Sequence, residues 1–241
     1  MTTASQIEKV NTMLHALNLP AEGPAAEQLV MYYRLLTERN RVMNLTAITE
    51  FGDVVEKHFA DSLLLAQIID LKQAESLIDV GTGAGFPGIP LKILFPEIEM
   101  TLLDSLQKRV GFLNEAIQAL GLQNIRAVHG RAEDFGRDAA YRERYHLCVS
   151  RAVADLSVLS ELCLPFVRQG GSFVSYKSAG AGEEIAAAAR AVGLLGGAPA
   201  QVKQVFLPET GQARLLVLIQ KETETPAHYP RRAGVPAKKP L

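Results

Sequence analysis

The chain lacks the features that take a protein into or through a membrane. No apolar run approaches the ~18–20 residues that cross a bilayer. Met1 to Val10 mixes polar and charged residues without the apolar core of a secretory leader. The expectation is a cytoplasmic protein with no membrane partner. Cysteine is scarce: Cys148 and Cys163 are the two present, and neither has spaced Cys or His partners of the zinc-binding kind. Each sits in an apolar stretch, so both are expected as buried thiols and no metal is expected. In a chain that is not secreted, the Asn44-Leu45-Thr46 sequon carries no meaning. An excess of one charge is lacking too. The 25 basic and 26 acidic residues leave a net charge of −1, which does not mark a nucleic-acid binder.

The distribution of charge says more than the sum. After Glu224 no acidic residue follows, while Arg231, Arg232, Lys238 and Lys239 are basic. Pro226, Pro230, Pro236 and Pro240 exclude a regular helix there. One reading is a solvated, partly disordered terminus. The other is an extended arm that neutralises phosphates, with those four basic residues as RNA contacts.

With 241 residues, 48% of them hydrophobic, the chain is long enough for one substantial α/β domain and a smaller accessory element. Residues 1–72 have helical periodicity. Ile7, Val10, Leu14 and Leu17 share one face. After the break at Pro20, Gly23 and Pro24, a second run carries Leu29, Tyr32, Tyr33 and Leu36 and ends at Arg39-Asn40-Arg41. A third begins near Val54 with Val55, Phe59, Leu63 and Ile69 inward. These pieces are too few to stand alone and are expected to cap the larger domain on their C-terminal side.

From residue 73 to 221 short apolar runs alternate with helical ones. Strands are expected at 77–80, 100–103, 125–128, 147–149, 172–176, 202–207 and 215–219, and helices through Leu91 and Leu94 and at 106–120, 156–167 and 183–192. Gly121 fits a helix C-cap. Strands separated by helices imply a parallel sheet covered on both faces. The last two, joined only by a loop, must form an antiparallel hairpin. The fold class is α/β, with the layout of a class I S-adenosylmethionine-dependent methyltransferase: a Rossmann-like seven-stranded, mostly parallel sheet with a terminal antiparallel hairpin, plus an N-terminal helical extension. Residues 222–241 form the Pro-rich basic tail.

The segment Asp79-Val80-Gly81-Thr82-Gly83-Ala84-Gly85-Phe86-Pro87-Gly88 comes directly after the first of these strands. Glycines there let a ligand approach the backbone, and the next helix aims its N-terminal N–H groups into the same crevice. Two templates fit. Gly83, Gly85 and Gly88 match the dinucleotide pattern G-x-G-x-x-G, with Asp104 at the end of the second strand. Gly81, Gly83 and Gly85 match the D-x-G-x-G-x-G pattern of methyltransferases. Asp79 favours the second, because a carboxylate repels a pyrophosphate but suits the sulfonium and ammonium of S-adenosyl-L-methionine. Asp104 is then placed to accept from the ribose hydroxyls, and Glu133 stands where adenine lies. Phe86 either covers the cofactor or packs into the core, and its place in the loop favours cover. Lys177 and Arg151, each just past a strand, lie at the ligand edge as candidate substrate contacts. Arg39, Arg41, Lys108 and Arg109 are further RNA-contact candidates.

Asp79 to Pro90, Leu103-Asp104-Ser105 with Lys108-Arg109, Gly130-Arg131-Ala132-Glu133 and Ser150-Arg151-Ala152 together resemble the RsmG family, also called glucose-inhibited division protein B. Upstream, Asn44-Leu45-Thr46 and His58 with Asp61-Ser62-Leu63 resemble its N-terminal signatures. Downstream, Tyr229-Pro230-Arg231-Arg232, Gly234, Pro236 and Lys239-Pro240-Leu241 resemble its tail. The resemblance spans nearly the whole chain. It implies methylation of N7 of a guanine in the decoding-region loop of 16S rRNA, with 16S rRNA or the small ribosomal subunit as partner. It also implies cofactor contacts at Gly81, Phe86, Ala132, Glu133 and Arg151. A monomer is expected.

Guanine N7 has a free lone pair at neutral pH, so such a reaction calls for positioning and electrostatics and no general base. Marks of other acceptors are missing. Ser150-Arg151-Ala152-Val153 stands where exocyclic-amine enzymes carry [ND]-P-P-[YF], and neither cysteine is placed as a nucleophile. His58, Asp61 and Ser62 fall within about one helical turn, a poor geometry for a hydrolase relay. They are expected to face the site mouth or to fix the cap to the sheet. The competing readings of the sequence are a methyltransferase of another RNA or a small molecule, an NAD-dependent dehydrogenase, and an RNA-binding factor with a dead cofactor site.

Overall fold

A computed structural model of the chain describes residues 1–21 and 23–241. Helix α1 (Thr3–Ala16) begins at Thr2, whose side chain accepts from the N–H of Ser5, and buries Val10, Met13 and Leu14 at helical spacing. Helix α2 (Ala25–Met43) buries Leu29, Val30, Tyr32 and Leu36 and stops at Asn44, which adopts a left-handed conformation at φ 52°. The third helical passage is not one regular helix. It runs as α3 (Phe51–Val54), a π-helical segment Val55–Ala60, the turn α4 (Asp61–Leu63) and a 3-10 turn Leu64–Gln67. Every residue from Val54 to Leu65 except Lys57 is buried. A segment covered all round has no single apolar stripe, so a 3.6-residue period describes it poorly.

Strands and helices then alternate: β1 (Ser76–Val80), α5 (Gly88–Leu94), β2 (Glu99–Asp104), α6 (Gln107–Ala119), β3 (Ile125–His129), α7 (Ala132–Phe135), β4 (Tyr145–Arg151), α8 (Leu156–Cys163) and β5 (Val167–Ser178). Next come α9 (Gly182–Ala187), α10 (Ala189–Leu194), β6 (Gln201–Phe206) and β7 (Ala213–Gln220), and near the C-terminus α11 (Val235–Lys238). The seven strands lie in the order β3-β2-β1-β4-β5-β7-β6. Pairings from β3 through β5 are parallel, and β7 runs antiparallel to both β5 and β6. The terminal hairpin stands as expected.

The expected helix 156–167 ends early. Pro165 has no N–H to continue the ladder, so a 3-10 turn (Leu164–Phe166) closes it and β5 starts at Val167. The alanine-rich helix is two short ones meeting at Ala188. Gly121 does follow α6 in the left-handed region, at φ 63°.

Two apolar cores cover the two faces of the sheet. One joins α1, α2 and the third passage to α5 and α6, through residues such as Leu14, Leu36, Phe59, Ile89 and Phe112. The other lies beneath α8 and α10 and holds both cysteines. The C-terminal residues are not a solvated arm. Thr225, Pro230 and Pro236 are buried, and α11 forms a single turn with Pro236 in its first positions, where a missing N–H costs nothing.

Candidate active site

The strand order reverses direction between β1 and β4, and at such a switch point the loops leave the sheet on opposite sides and open a crevice. The glycine loop after β1 forms one wall. The turn after β4 forms the other, tied to it where Ser150 Oγ donates to the carbonyl of Val80 at 2.8 Å. Gly81, Gly83 and Gly85 all have positive φ, between 63° and 99°. At Gly81 an added Cβ would stand 2.6 Å from Val153 of the opposite wall, so the two turns close on each other there. Gly83 differs: nothing lies nearer than 4.0 Å, and it faces open space.

Asp79 is fully buried at the end of β1. One carboxylate oxygen, Oδ2, accepts from Thr82 Oγ1 at 2.6 Å and from the N–H of Gly88 at 2.9 Å. The other, Oδ1, is buried with no hydrogen-bond partner among the described residues. Burial pushes its pKa up to about 6, against the pull of those hydrogen bonds and of Arg151. Asp104 ends β2. Its Oδ2 accepts from the N–H of Gly83 at 2.9 Å, its Oδ1 from the N–H of Leu106 at 2.9 Å, and Arg109 approaches at 3.5 Å. It shapes the loop from the neighbouring strand. Leu106, the N-cap of α6 beside it, is half exposed. Ala132 and Glu133 open α7 after β3, both buried, and Glu133 Oε1 accepts from the N–H of Gly234 at 2.8 Å. Three acids therefore end or follow three neighbouring strands along one edge.

Phe86 is not an open cover. Its ring is buried in an aromatic cluster, stacked on His58 at 4.5 Å, with Tyr32 at 5.4 Å and the guanidinium of Arg151 at 5.2 Å. The adjacent cluster is built by the cap. Asp61 Oδ2 pairs with Arg151 at 2.6 Å and Asp61 Oδ1 with Arg214 at 2.8 Å. Arg151 also reaches His58 Nδ1 at 3.2 Å. Nδ1 also lies 3.2 Å from the carbonyl of Lys57, so it sits between a group that can only donate and one that can only accept, and Nε2 lies 2.8 Å from Thr46 Oγ1. Burial and then Arg151 push the His58 pKa down to about 4, which keeps the ring neutral. Ser62 Oγ donates back to the carbonyl of His58 at 2.6 Å, and the Tyr176 hydroxyl donates to the carbonyl of Ser62 at 2.8 Å. The trio serves as a joint between cap and sheet.

Lys57, His58, Asp61, Arg151, Lys177 and Arg214 line a cavity of about 520 Å³ beside the glycine loop. Lys177 is not a loose cation. Its ammonium pairs with Glu184 at 2.6 Å and donates to the carbonyl of Ala154 at 2.7 Å. Arg231 is likewise committed, to a buried Glu161. Arg232, Lys238 and Lys239 remain exposed. Of the other cations, Arg39 pairs with Glu115, while Arg41 and Lys108 are exposed. Arg214 was missed in the sequence because it opens a hairpin strand far from any motif. No cluster of three or more metal-ligating side chains occurs among the described residues, and no helix is long and apolar enough to cross a membrane.

An open glycine backbone and a buried carboxylate oxygen without a partner fit a cationic ligand at the β1–β4 crevice. Together with the seven-stranded sheet and its terminal hairpin, they define a class I S-adenosylmethionine-dependent methyltransferase. The sheet is similar to that of a SAM-dependent O-methyltransferase from Thermotoga maritima, with a TM-score of 0.53 and 14% identity over 78% of this chain and 72% of the other. A sequence model of the rRNA small subunit methyltransferase G family matches residues 25–213, and the chain belongs to that family. The chain is 49% identical to ribosomal RNA small subunit methyltransferase G of Lachnoclostridium phytofermentans, over 95% of its own length and 94% of the relative's. To the protein of the same name from Brevibacillus brevis it is 48% identical, over 97% and 98%.

Proposed function

We propose that this protein transfers a methyl group to N7 of a guanine in the decoding-region loop of 16S rRNA, acting as a single chain in the cytoplasm. The observation that carries the reading is the cavity shared by Arg151, Arg214, Lys57 and Asp61 beside the glycine loop, in a chain of this family. S-adenosylmethionine supplies an electrophilic methyl group on a sulfonium. The residues do the rest by placement. The glycine loop brings backbone close to the ligand, Asp79 offers negative charge near the methionine end, Asp104 faces the ribose, and Glu133 with Leu106 takes the adenine end. Arg151 and Arg214, held apart on one carboxylate by Asp61, present N–H groups toward phosphate or the guanine carbonyl.

No proton has to leave N7 before it attacks, so the site needs no base. His58 is the one imidazole in the cavity, and both of its ring nitrogens are already engaged, Nδ1 by Arg151 and the Lys57 carbonyl and Nε2 by Thr46. Both thiols are buried in the core on the other face of the sheet. These features suit a nucleophile that arrives with its own lone pair. The test is to delete the gene and cleave 16S rRNA with borohydride and aniline, which cuts at N7-methylguanine. Loss of the decoding-loop cut, restored by the gene in trans, is expected. A cut that persists in the deletion strain overturns the assignment.

A further inference from the structure

The family match ends at residue 213, yet the last residues of the chain are held by groups that have little else to do. Lys221 points a fully buried ammonium at Glu143 (3.0 Å), Thr225 Oγ1 (2.9 Å) and the carbonyls of Leu164 and Val167. Glu143 also accepts from the N–H of Thr225 at 2.8 Å. Arg142 donates to the carbonyls of Thr225 and Tyr229, and Arg137 to that of Pro230 at 2.7 Å. Glu161, on α8, is fully buried. Its carboxylate is satisfied by Arg231 alone: the backbone N–H at 2.7 Å, Nε at 2.9 Å and Nη2 at 2.5 Å. A buried carboxylate paired on both oxygens is a fixed point, because breaking the pair strands a charge.

Three residues beyond that latch, Gly234 at φ 80° turns its N–H onto Glu133 Oε1 at 2.8 Å. Among the described residues, Glu133 Oε2 has no hydrogen-bond partner, and it is not among the enclosed, unsatisfied atoms. One oxygen is tied back and the other is left open. The nearby Gly136 approaches Pro230 closely enough that a Cβ there would stand 3.1 Å from its ring, so α7 and the tail are fitted to each other.

We propose that residues 225–241 form a positioning strap for the cofactor site. Arg231 latched on Glu161 sets Gly234, Gly234 fixes Glu133, and Glu133 presents its free oxygen to the exocyclic amine of adenine. The strap rests on the proposed placement of adenine at Glu133. Arg231, Glu161 and Gly234 are positioning residues, since each acts through Glu133. The strap makes part of the tail a component of the cofactor pocket and removes Arg231 from any role at RNA.

Calorimetry with S-adenosylhomocysteine and S-inosylhomocysteine tests this, because the second replaces the amine donor by a carbonyl that a carboxylate repels. The protein as it stands is expected to prefer the adenosine ligand by roughly tenfold or more, the scale of one charge-assisted hydrogen bond. Two strap variants are compared. Deleting residues 231–241 together with Glu161→Leu releases the strap without stranding a charge. Gly234→Pro in the full chain removes the donor and, because proline cannot adopt φ 80°, also the turn that aims it, and a cooperative melt confirms that each variant is folded. Both are expected to lose most of the preference. If Glu133→Gln loses it while both strap variants keep it, the strap proposal is wrong and the adenine placement stands. If Glu133→Gln keeps it, the adenine placement fails and takes the strap with it.

Discussion

The hydroxyl of Tyr32, in the middle of α2, donates to the carbonyl of Ala84 inside the glycine loop. A residue of the helical cap therefore braces the loop that faces the cofactor, and both partners are buried. Removing the hydroxyl strands that carbonyl in a place water does not reach, which costs about 1–3 kcal/mol. Tyr32→Phe is expected to lower the melting temperature and to weaken S-adenosylmethionine binding several-fold in calorimetry. A variant with unchanged stability and unchanged affinity would show that the loop keeps its shape without the cap.

Asp61 holds Arg151 from β4 and Arg214 from β7 on its two oxygens. Asp61→Asn leaves two guanidinium groups facing each other with half their acceptor gone. Loss of one partner of a buried pair costs on the order of 3 kcal/mol. The Asp79 and Gly83 backbone geometry does not depend on this carboxylate. Cofactor affinity is therefore expected to hold within about threefold while methylation of rRNA falls at least about tenfold, a split between binding and turnover. Equal losses in both measurements would place Asp61 in the cofactor pocket instead.

How far a residue's role is legible in the sequence depends on how many distant neighbours that role requires. The strands were legible because buried parallel strands are short apolar runs, as at Leu77–Val80 and Leu147–Val149. The glycine loop was legible because left-handed backbone demands glycine. Asp79 and Asp104 were legible as to place but not as to partners: Thr82, Gly88, Gly83 and Leu106 occupy oxygens that sequence alone leaves free. Phe86 reads as cover in the sequence because nothing local reveals that Tyr32, Phe59 and His58 converge on it from the cap. Arg231 looks like one of four free cations because Glu161, its partner, lies 70 residues away in an apolar helix. The broken helix at Val55–Ala60 escapes because burial on every side erases the period.

Two buried groups in the cap and loop titrate in opposite senses. Folding raises Asp79 from an ordinary 3.8 to about 6, mainly through burial. As pH falls through that window the folded chain takes a proton the unfolded chain does not hold, so stability rises. Folding lowers His58 from 6.5 to about 4, again mainly through burial. As pH falls from 6.5 toward 4 the unfolded chain takes the proton first, so stability is lost. Each effect amounts to about 3 kcal/mol at most, and they offset over most of the range. Asp79→Asn is expected to leave the His58 slope exposed and to lose stability steeply on acidification. His58→Gln is expected to do the reverse. Melting curves from about pH 6.5 to about pH 4.5 check this, and parallel profiles for all three proteins would rule it out.

The exposed cations of the tail provide the last prediction. Arg232, Lys238 and Lys239 are solvent-exposed, whereas Arg231 is spent on Glu161. If the three exposed residues meet phosphates of structured rRNA, each contact releases counterions and steepens the salt dependence of binding by about 0.7–0.9 in the log–log slope. Replacing all three with glutamine is expected to flatten that slope by roughly 2 and to weaken binding at low salt, with melting temperature and S-adenosylmethionine affinity unchanged. Arg231→Gln is expected to do the opposite, lowering the melting temperature and cofactor affinity while leaving the slope alone, because its charge is already neutralised inside the protein. A slope that responds to Arg231→Gln and ignores the triple variant would mean that the tail leaves its seat to meet the RNA.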